Sequence, residues 1–248
     1  MTRRRFFATP SAFNFDHQSV TLSSEEARHL RDVLRLAKGD EVYVFDGAGR
    51  EFHCVVSRTE RDFVELDLGK EVEPARPESP IDLTLAVALL KGEKFDLVVQ
   101  KATELGVTQV VPVVTRFADI RLRDESDAQK RVVRWQRIAL EAAKQSGRAV
   151  VPVVGKPVLF KFLLTNPENA GSLCLMFAER GGESFPTVPQ PGRVTALVGS
   201  EGGWSDEEID QARGAGWLVV TLGGRTLRAE TAAIAVSALI QHMYGDLK

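Results

Sequence analysis

The chain has 248 residues, of which 44% are hydrophobic and 27% charged. That is ordinary globular composition, and it excludes collagen-like, low-complexity and wholly disordered classes. Lys plus Arg is 32 against 34 Asp plus Glu, a net charge of −2, so a nucleic-acid partner has to be met by a local basic patch.

In chain order, Ser23-Ser24-Glu25-Glu26 offers a capping box for a helix that turns Ala27, Leu30, Val33 and Leu34 inward. Glu41–Asp46, Glu51–Thr59 and Asp62–Leu68 alternate apolar and polar residues, the period of half-buried strands, with Gly47 and Gly49 placed for a hairpin turn. Short strands with one helix suggest a small barrel. Glu71–Pro80 (EVEPARPESP) carries Pro74, Pro77 and Pro80, which forbid helix and suit a stiff linker. Beyond it the periods alternate. Ile81–Leu90, Val107–Val114, Ser172–Ala178, Arg193–Val198 and Trp217–Leu222 read as strands. Lys91–Leu105, Ala128–Ser146, Ser205–Arg213 and Glu230–Tyr244 read as helices, the third opened by a Ser205/Glu208 capping box. Such alternation argues for a parallel sheet flanked by helices. The domains expected are 1–73, a linker at 74–80, and 81–248.

Two glycine loops carry the strongest chemical signal. Gly199-Ser200-Glu201-Gly202-Gly203 follows one strand, and Gly223-Gly224 follows the next before Arg228 and Glu230 open a helix. Ligands of open α/β sheets bind outside the carboxyl ends of strands, and glycine lets the backbone approach them closely. Neither loop is a GxGxxG or P-loop fingerprint, which argues against a dinucleotide-dependent oxidoreductase. Alternatives remain open at this level: a plain turn before a helix for the first loop, and an Arg228–Glu230 ion pair for the second.

Basic residues form two local groups. Lys130, Arg134, Arg137, Lys144 and Arg148 recur at helical spacing, near Lys91, Lys94 and Lys101. Such a stripe neutralises RNA phosphates or is simply a solvated face. Arg4 and Arg5 beside Phe6 and Phe7, with His29 and Arg35, combine charge with aromatic rings as single-stranded RNA binding does, although Phe6 and Phe7 also suit a core strand. Cys54 and Cys174 stand alone, and His17, His29, His53 and His242 lack ligand spacing, so no metal is expected. No run approaches the ~20 apolar residues of a membrane span. No apolar segment follows the basic N-terminus as in a secretory signal. A cytoplasmic protein without a membrane partner is the expectation.

These stretches resemble the RsmE family, bacterial 16S ribosomal RNA uridine-N3 methyltransferases of the SPOUT superfamily. The matching positions are Arg4–Phe7; His29-Leu30 through Arg35 to Gly39-Asp40; Asp46-Gly47 with Gly49; Lys94 through Lys101 to Gly106; Glu141 through Lys144 to Arg148; Gly199–Gly203; and Leu227-Arg228 with Glu230-Thr231-Ala232. The resemblance implies an α/β fold: an N-terminal PUA-like β-barrel that helps bind RNA, and a C-terminal SPOUT domain with a trefoil knot. It also implies S-adenosylmethionine as cofactor, 16S ribosomal RNA of the small ribosomal subunit as partner, and a homodimer. The cofactor residues carried over are Leu197, Val198, Gly199, Glu201, Gly202, Gly203, Leu222, Gly223, Leu227, Thr231 and Ala232. The RNA contacts are Arg4, Arg5, His29, Arg35, Lys94, Lys101, Arg134, Lys144 and Arg148. Uridine N3 must lose a proton to become nucleophilic, which makes Glu201 the candidate base or orienting group and Arg228 the candidate stabiliser of the uracil anion. The family usually has proline where this chain has Ser200, and a slightly looser loop is expected there. A non-catalytic RNA-binding protein on the same fold, and a SPOUT enzyme acting on another RNA position, are the competing readings.

Overall fold

The computed structural model describes residues 3–118 and 124–247. The chain divides into two units. One comprises Met1–Glu78 with Ala143–Val151, the other Ser79–Ala142 with Pro152–Lys248. Part of the basic stretch, residues 119–123, lies outside the described residues.

The first unit is a six-stranded mixed sheet built from β1 (Arg5–Phe7), β2 (Phe13–Asn14), β3 (Ser19–Leu22), β4 (Glu41–Phe45), β5 (Glu51–Thr59) and β6 (Val64–Val72). Its order is β1-β4-β5-β6-β3-β2, with β1 and β4 parallel and the other pairs antiparallel. Alternation along β5 turns Phe52, Cys54 and Val56 into a core that also holds Phe6, Val20, Leu22, Leu30 and Leu66. Phe6 is therefore a core strand residue. Burial pushes the Cys54 thiol up to about 11, so it is inert. Asp46 organises the expected hairpin by accepting from the backbone N–H groups of Ala48 and Arg50. Gly47 is required there. Its φ is +76°, and a Cβ would come 2.9 Å from the Phe7 ring.

The helix α1 (Ser24–Arg28) corrects one expectation, because its capping box does not form. Glu26 instead turns into the unit, where it accepts from the Phe7 N–H and from Lys144 Nζ at 2.6 Å. The next turn widens to π geometry over His29–Val33, with Leu34 N–H bonded to His29 O. The extra residue rotates the helix face, so Leu30 stays buried while Val33 and Leu34 are exposed rather than inward.

The second unit is a parallel sheet. It contains β7 (Asp82–Ala88), β8 (Gln109–Val114), β9 (Val153–Val154), β10 (Val158–Leu159), β11 (Leu173–Phe177), β12 (Arg193–Val198) and β13 (Leu218–Val220). The order is β10-β8-β7-β12-β11-β13, with β9 paired to β8, and every pair is parallel. Near-continuous apolar runs suit strands covered on both faces. Helices α2 (Lys94–Glu104), α3 (Glu125–Ser146), α4 (Phe160–Leu164), α5 (Asp206–Gly214) and α6 (Ala229–Tyr244) complete it. Phe95 on α2 lies 4.3 Å, ring to ring, from Trp135 on α3, whose Nε1–H donates to Asp96. The Ser205/Glu208 capping box forms as expected. Glu208 is buried and accepts a second bond from the Arg116 N–H.

Candidate active site

Strands β12, β11 and β13 are neighbours in that order, and all three end on the same cavity. The cavity measures about 490 Å³. Phe177, Ala178 and Glu179 reach it from β11, Val198 to Trp204 from β12, and Thr221 to Arg228 from β13. Ala229, Ala232 and Val236 close it from α6. The two glycine loops therefore lie on opposite sides of one space, at the carboxyl ends of parallel strands where α/β sheets bind ligands.

Local packing dictates glycine in the first loop. A Cβ on Gly199 would lie 2.9 Å from the Trp204 indole, which is itself pinned by donating to Phe177 O. A Cβ on Gly202 would lie 2.7 Å from Phe117 Cβ. Gly203 takes φ +67° and donates its N–H to Ser200 O. Ser200 corrects the expectation of a looser loop. It is buried, and its hydroxyl donates to Phe117 O at 3.0 Å, a tether that proline lacks.

The second loop is held differently. Gly223 and Gly224 both have φ above +70° with open space around them, so they shape the path rather than admit a neighbour. The backbone from Leu222 to Thr226 donates no hydrogen bond to any described residue. These N–H groups are free to meet a ligand.

Of the expected cofactor residues, Val198, Gly199, Glu201, Gly202, Gly203, Leu222, Gly223, Leu227 and Ala232 line the cavity. Leu197 lies beneath it in the core, and Thr231 is an exposed residue outside the lining. Sequence reading missed Phe177, Ala178, Glu179 and Thr221. The rule for strand carboxyl ends, applied to β11 as well, points to them.

The charged residues separate into two sets. Lys94, expected on an RNA face, joins the cavity rim. Its Nζ is 2.7 Å from Glu201 Oε1 and 3.8 Å from Glu230 Oε2. The hydrogen bond to Glu201, and then the charges of Glu201 and Glu230, hold the ammonium above the ordinary lysine pKa against burial and Arg228. Arg228 does not pair with Glu230. Its side chain is exposed and forms no ion pair among the described residues.

Other expected RNA contacts are already occupied. Arg5 binds Glu51 at 2.9 Å and donates to Lys144 O and Arg148 O. Lys144 pairs with Glu26, and buried Arg148 pairs with Glu78 at 2.7 Å. Arg134 pairs with Asp96 and Lys101 with Glu104. His29 packs edge-on to Phe6. Arg4 and Arg35 are exposed, without an ion pair among the described residues. No group of three or more His, Cys, Asp or Glu among the described residues is arranged to hold a metal ion.

Comparison with known proteins agrees with this geometry. An RNA methyltransferase domain model matches residues 77–241, and an RNA methyltransferase PUA domain model matches residues 22–69. The ribosomal RNA small subunit methyltransferase E of Synechocystis sp. is 34% identical, covering 90% of this chain and 72% of that protein. The protein of the same name from Mesomycoplasma hyopneumoniae is 30% identical, covering 93% and 95%. The crystal structure of the Neisseria gonorrhoeae ribosomal RNA small subunit methyltransferase E, bound to S-adenosyl methionine, superposes with a TM-score of 0.88 at 32% identity over both whole chains. The chain belongs to the ribosomal RNA small subunit methyltransferase E family.

Proposed function

We propose that this chain transfers a methyl group from S-adenosylmethionine to N3 of a specific uridine in 16S ribosomal RNA of the small subunit. The observation that carries the reading is a single cavity enclosed by two glycine loops, with Glu201 and Arg228 on its lining.

The residues present fit the cofactor. The cavity is within the size range of small-molecule sites, and apolar Phe177, Val198 and Leu227 alternate with free backbone donors. Glu179 and Glu201 place carboxylates on the lining, which suits a cationic ligand. Bound there, S-adenosylmethionine supplies a methyl carbon on a sulfonium, which leaves as a neutral thioether when N3 takes the methyl.

Glu201 removes the N3 proton, and the freed electron pair forms the new N3–carbon bond. Arg228 meets the negative charge that gathers on the uracil oxygens. The two loops hold both reactants at bonding distance, which supplies much of the acceleration. N3 lies on the pairing edge, so the target base is unpaired or extruded when it reacts.

In the same reading, residues 1–73 form the PUA-like RNA-binding barrel, 74–80 the linker and 81–248 the SPOUT methyltransferase domain, except that Ala143–Val151 packs with the first unit. Support comes from the extents of the two matching family models and from the shared core under the six-stranded sheet. Arg4 and Arg35 are its exposed RNA contacts. The trefoil knot implied by the resemblance belongs to the same reading; the order β12-β11-β13, in which the chain returns to the far side of β11, is compatible with it. In the same reading, following the resemblance, the active form is a homodimer in the cytoplasm.

The test is a pair of measurements. Calorimetry is expected to show S-adenosylmethionine binding, and mass spectrometry of 16S RNA from cells lacking the gene is expected to show loss of one N3-methyluridine. Intact methylation in those cells, or no cofactor binding, overturns the reading.

A further inference from the structure

Lys94 reaches three segments at once. It opens α2, and its ammonium contacts Glu201 in the loop after β12 and faces Glu230 in the first turn of α6. The side chains are 36%, 28% and 12% exposed respectively, so the cluster sits at the border between solvent and interior. Glu230 Oε2 is buried and accepts no hydrogen bond among the described residues. Arg228 also acts on this ammonium.

Two carboxylates that share one site repel each other, and a cation between them is what lets both remain ionised. Lys94 occupies that position. Glu201 touches the cavity lining while Lys94 does not, so the lysine acts through the carboxylate.

We propose, building on the methyl-transfer reading above, that Lys94 is a positioning residue of the reaction. Its ammonium keeps Glu201 ionised and aimed at the cavity, and Glu230 steadies the ammonium. When Glu201 takes the N3 proton it becomes neutral and its grip on Lys94 weakens. The unsatisfied oxygen of Glu230 is then the acceptor to which the ammonium turns. Loss of the proton from Glu201 to water restores the starting arrangement. The bonds that change are the uridine N3–H, which breaks, and a Glu201 O–H, which forms and then breaks as its proton passes to water.

The raised Lys94 pKa keeps the cation in place across the neutral range. The carboxylate base works when ionised, so turnover rises with pH through the Glu201 pKa. Removing the cation raises that pKa and moves the acid limb to higher pH.

The experiment compares the full-length wild type, Lys94→Met and Lys94→Arg. Each methylates 16S RNA in small subunits from cells lacking the gene, between about pH 4 and 8, a window that spans the ordinary carboxylate range. Lys94→Met is expected to move the acid limb of kcat upward by about one pH unit, a loss that approaches roughly tenfold on that limb and vanishes above it. Cofactor Kd by calorimetry and RNA KM stay within about twofold, a change worth less than ~0.5 kcal/mol. Lys94→Arg restores the wild-type profile. An unchanged profile in Lys94→Met, an equal loss at every pH, or a raised RNA KM with kcat intact overturns the proposal. A wild type that binds no cofactor or transfers no methyl group overturns the reaction reading, and this inference falls with it.

Discussion

Around Glu51 and around Glu201 the chain gathers the same chemistry, carboxylates held by lysine and arginine, in opposite settings. Glu51 is fully buried, and it accepts from Arg3, from Arg5 and from the Ala75 N–H. Arg5 in turn fixes the backbone of Lys144 and Arg148, whose own side chains are spent on Glu26 and Glu78. Each of these charges is matched inside the unit. Around Glu201 the charges are half exposed, one carboxylate oxygen of Glu230 lacks a bond, and Arg228 has no ion-pair partner among the described residues. Residue type does not separate a structural ion network from a reactive one. Access to a cavity does.

The largest expected effect tests the buried side of that contrast. Glu51→Ala strands the Arg5 guanidinium, only 7% exposed, without its carboxylate. The expected cost is about 3–5 kcal/mol in a urea denaturation curve. A loss below ~1 kcal/mol would place the cluster with ordinary surface pairs. Arg228→Ala tests the other side. Turnover is expected to fall by ~10²–10³, as when a donor to a developing oxyanion is removed. Melting temperature stays at the wild-type value, because the side chain is exposed and forms no ion pair among the described residues.

A smaller effect is expected at the second loop. Gly223 has φ +75° and nothing within 4 Å of the position a Cβ would take, so Gly223→Ala reports backbone strain alone. The expected penalty is about 1–2 kcal/mol, read as weaker cofactor binding in calorimetry. The smallest effect distinguishes exposed from buried cations. Arg35→Gln is expected to reduce the salt slope of RNA binding by about one, with no change in stability. Arg148→Gln should do the reverse, lowering stability and leaving that slope alone. Equal slopes for wild type and Arg35→Gln would remove Arg35 from the RNA surface.

Much of the site is legible in the residues themselves. Glycines after apolar runs mark both loops, although Gly199 and Gly202 are required by close packing against Trp204 and Phe117 and only Gly203 by its positive φ. The Ser205/Glu208 box is read correctly because Glu208 keeps Oε2 for Ser205 while its remote partner, the Arg116 N–H, takes Oε1. The identical logic fails at Ser23, where Lys144, 118 residues from Glu26, takes that carboxylate. Arg148 and Lys94 fail for the same reason, since the carboxylates that claim them are remote in the chain. Strands β2, β9 and β10 have two residues each, too few to show a period. The π turn at His29 shifts the face by one residue, which spacing rules built on a regular helix do not anticipate.

The short stretch Ala143–Val151 has a practical consequence for anyone dissecting this molecule. It follows the first strands of the parallel sheet in sequence, yet it supplies the other unit with Lys144, Arg148 and the backbone that pairs with Gly47 and Gly49. A fragment truncated after Glu78 would be missing a piece of its own interior, with Glu26 and Glu78 left as orphan acids. The first unit is compact without being contiguous in the gene, so grafting or swapping it succeeds only when this nine-residue insert travels with Met1–Glu78.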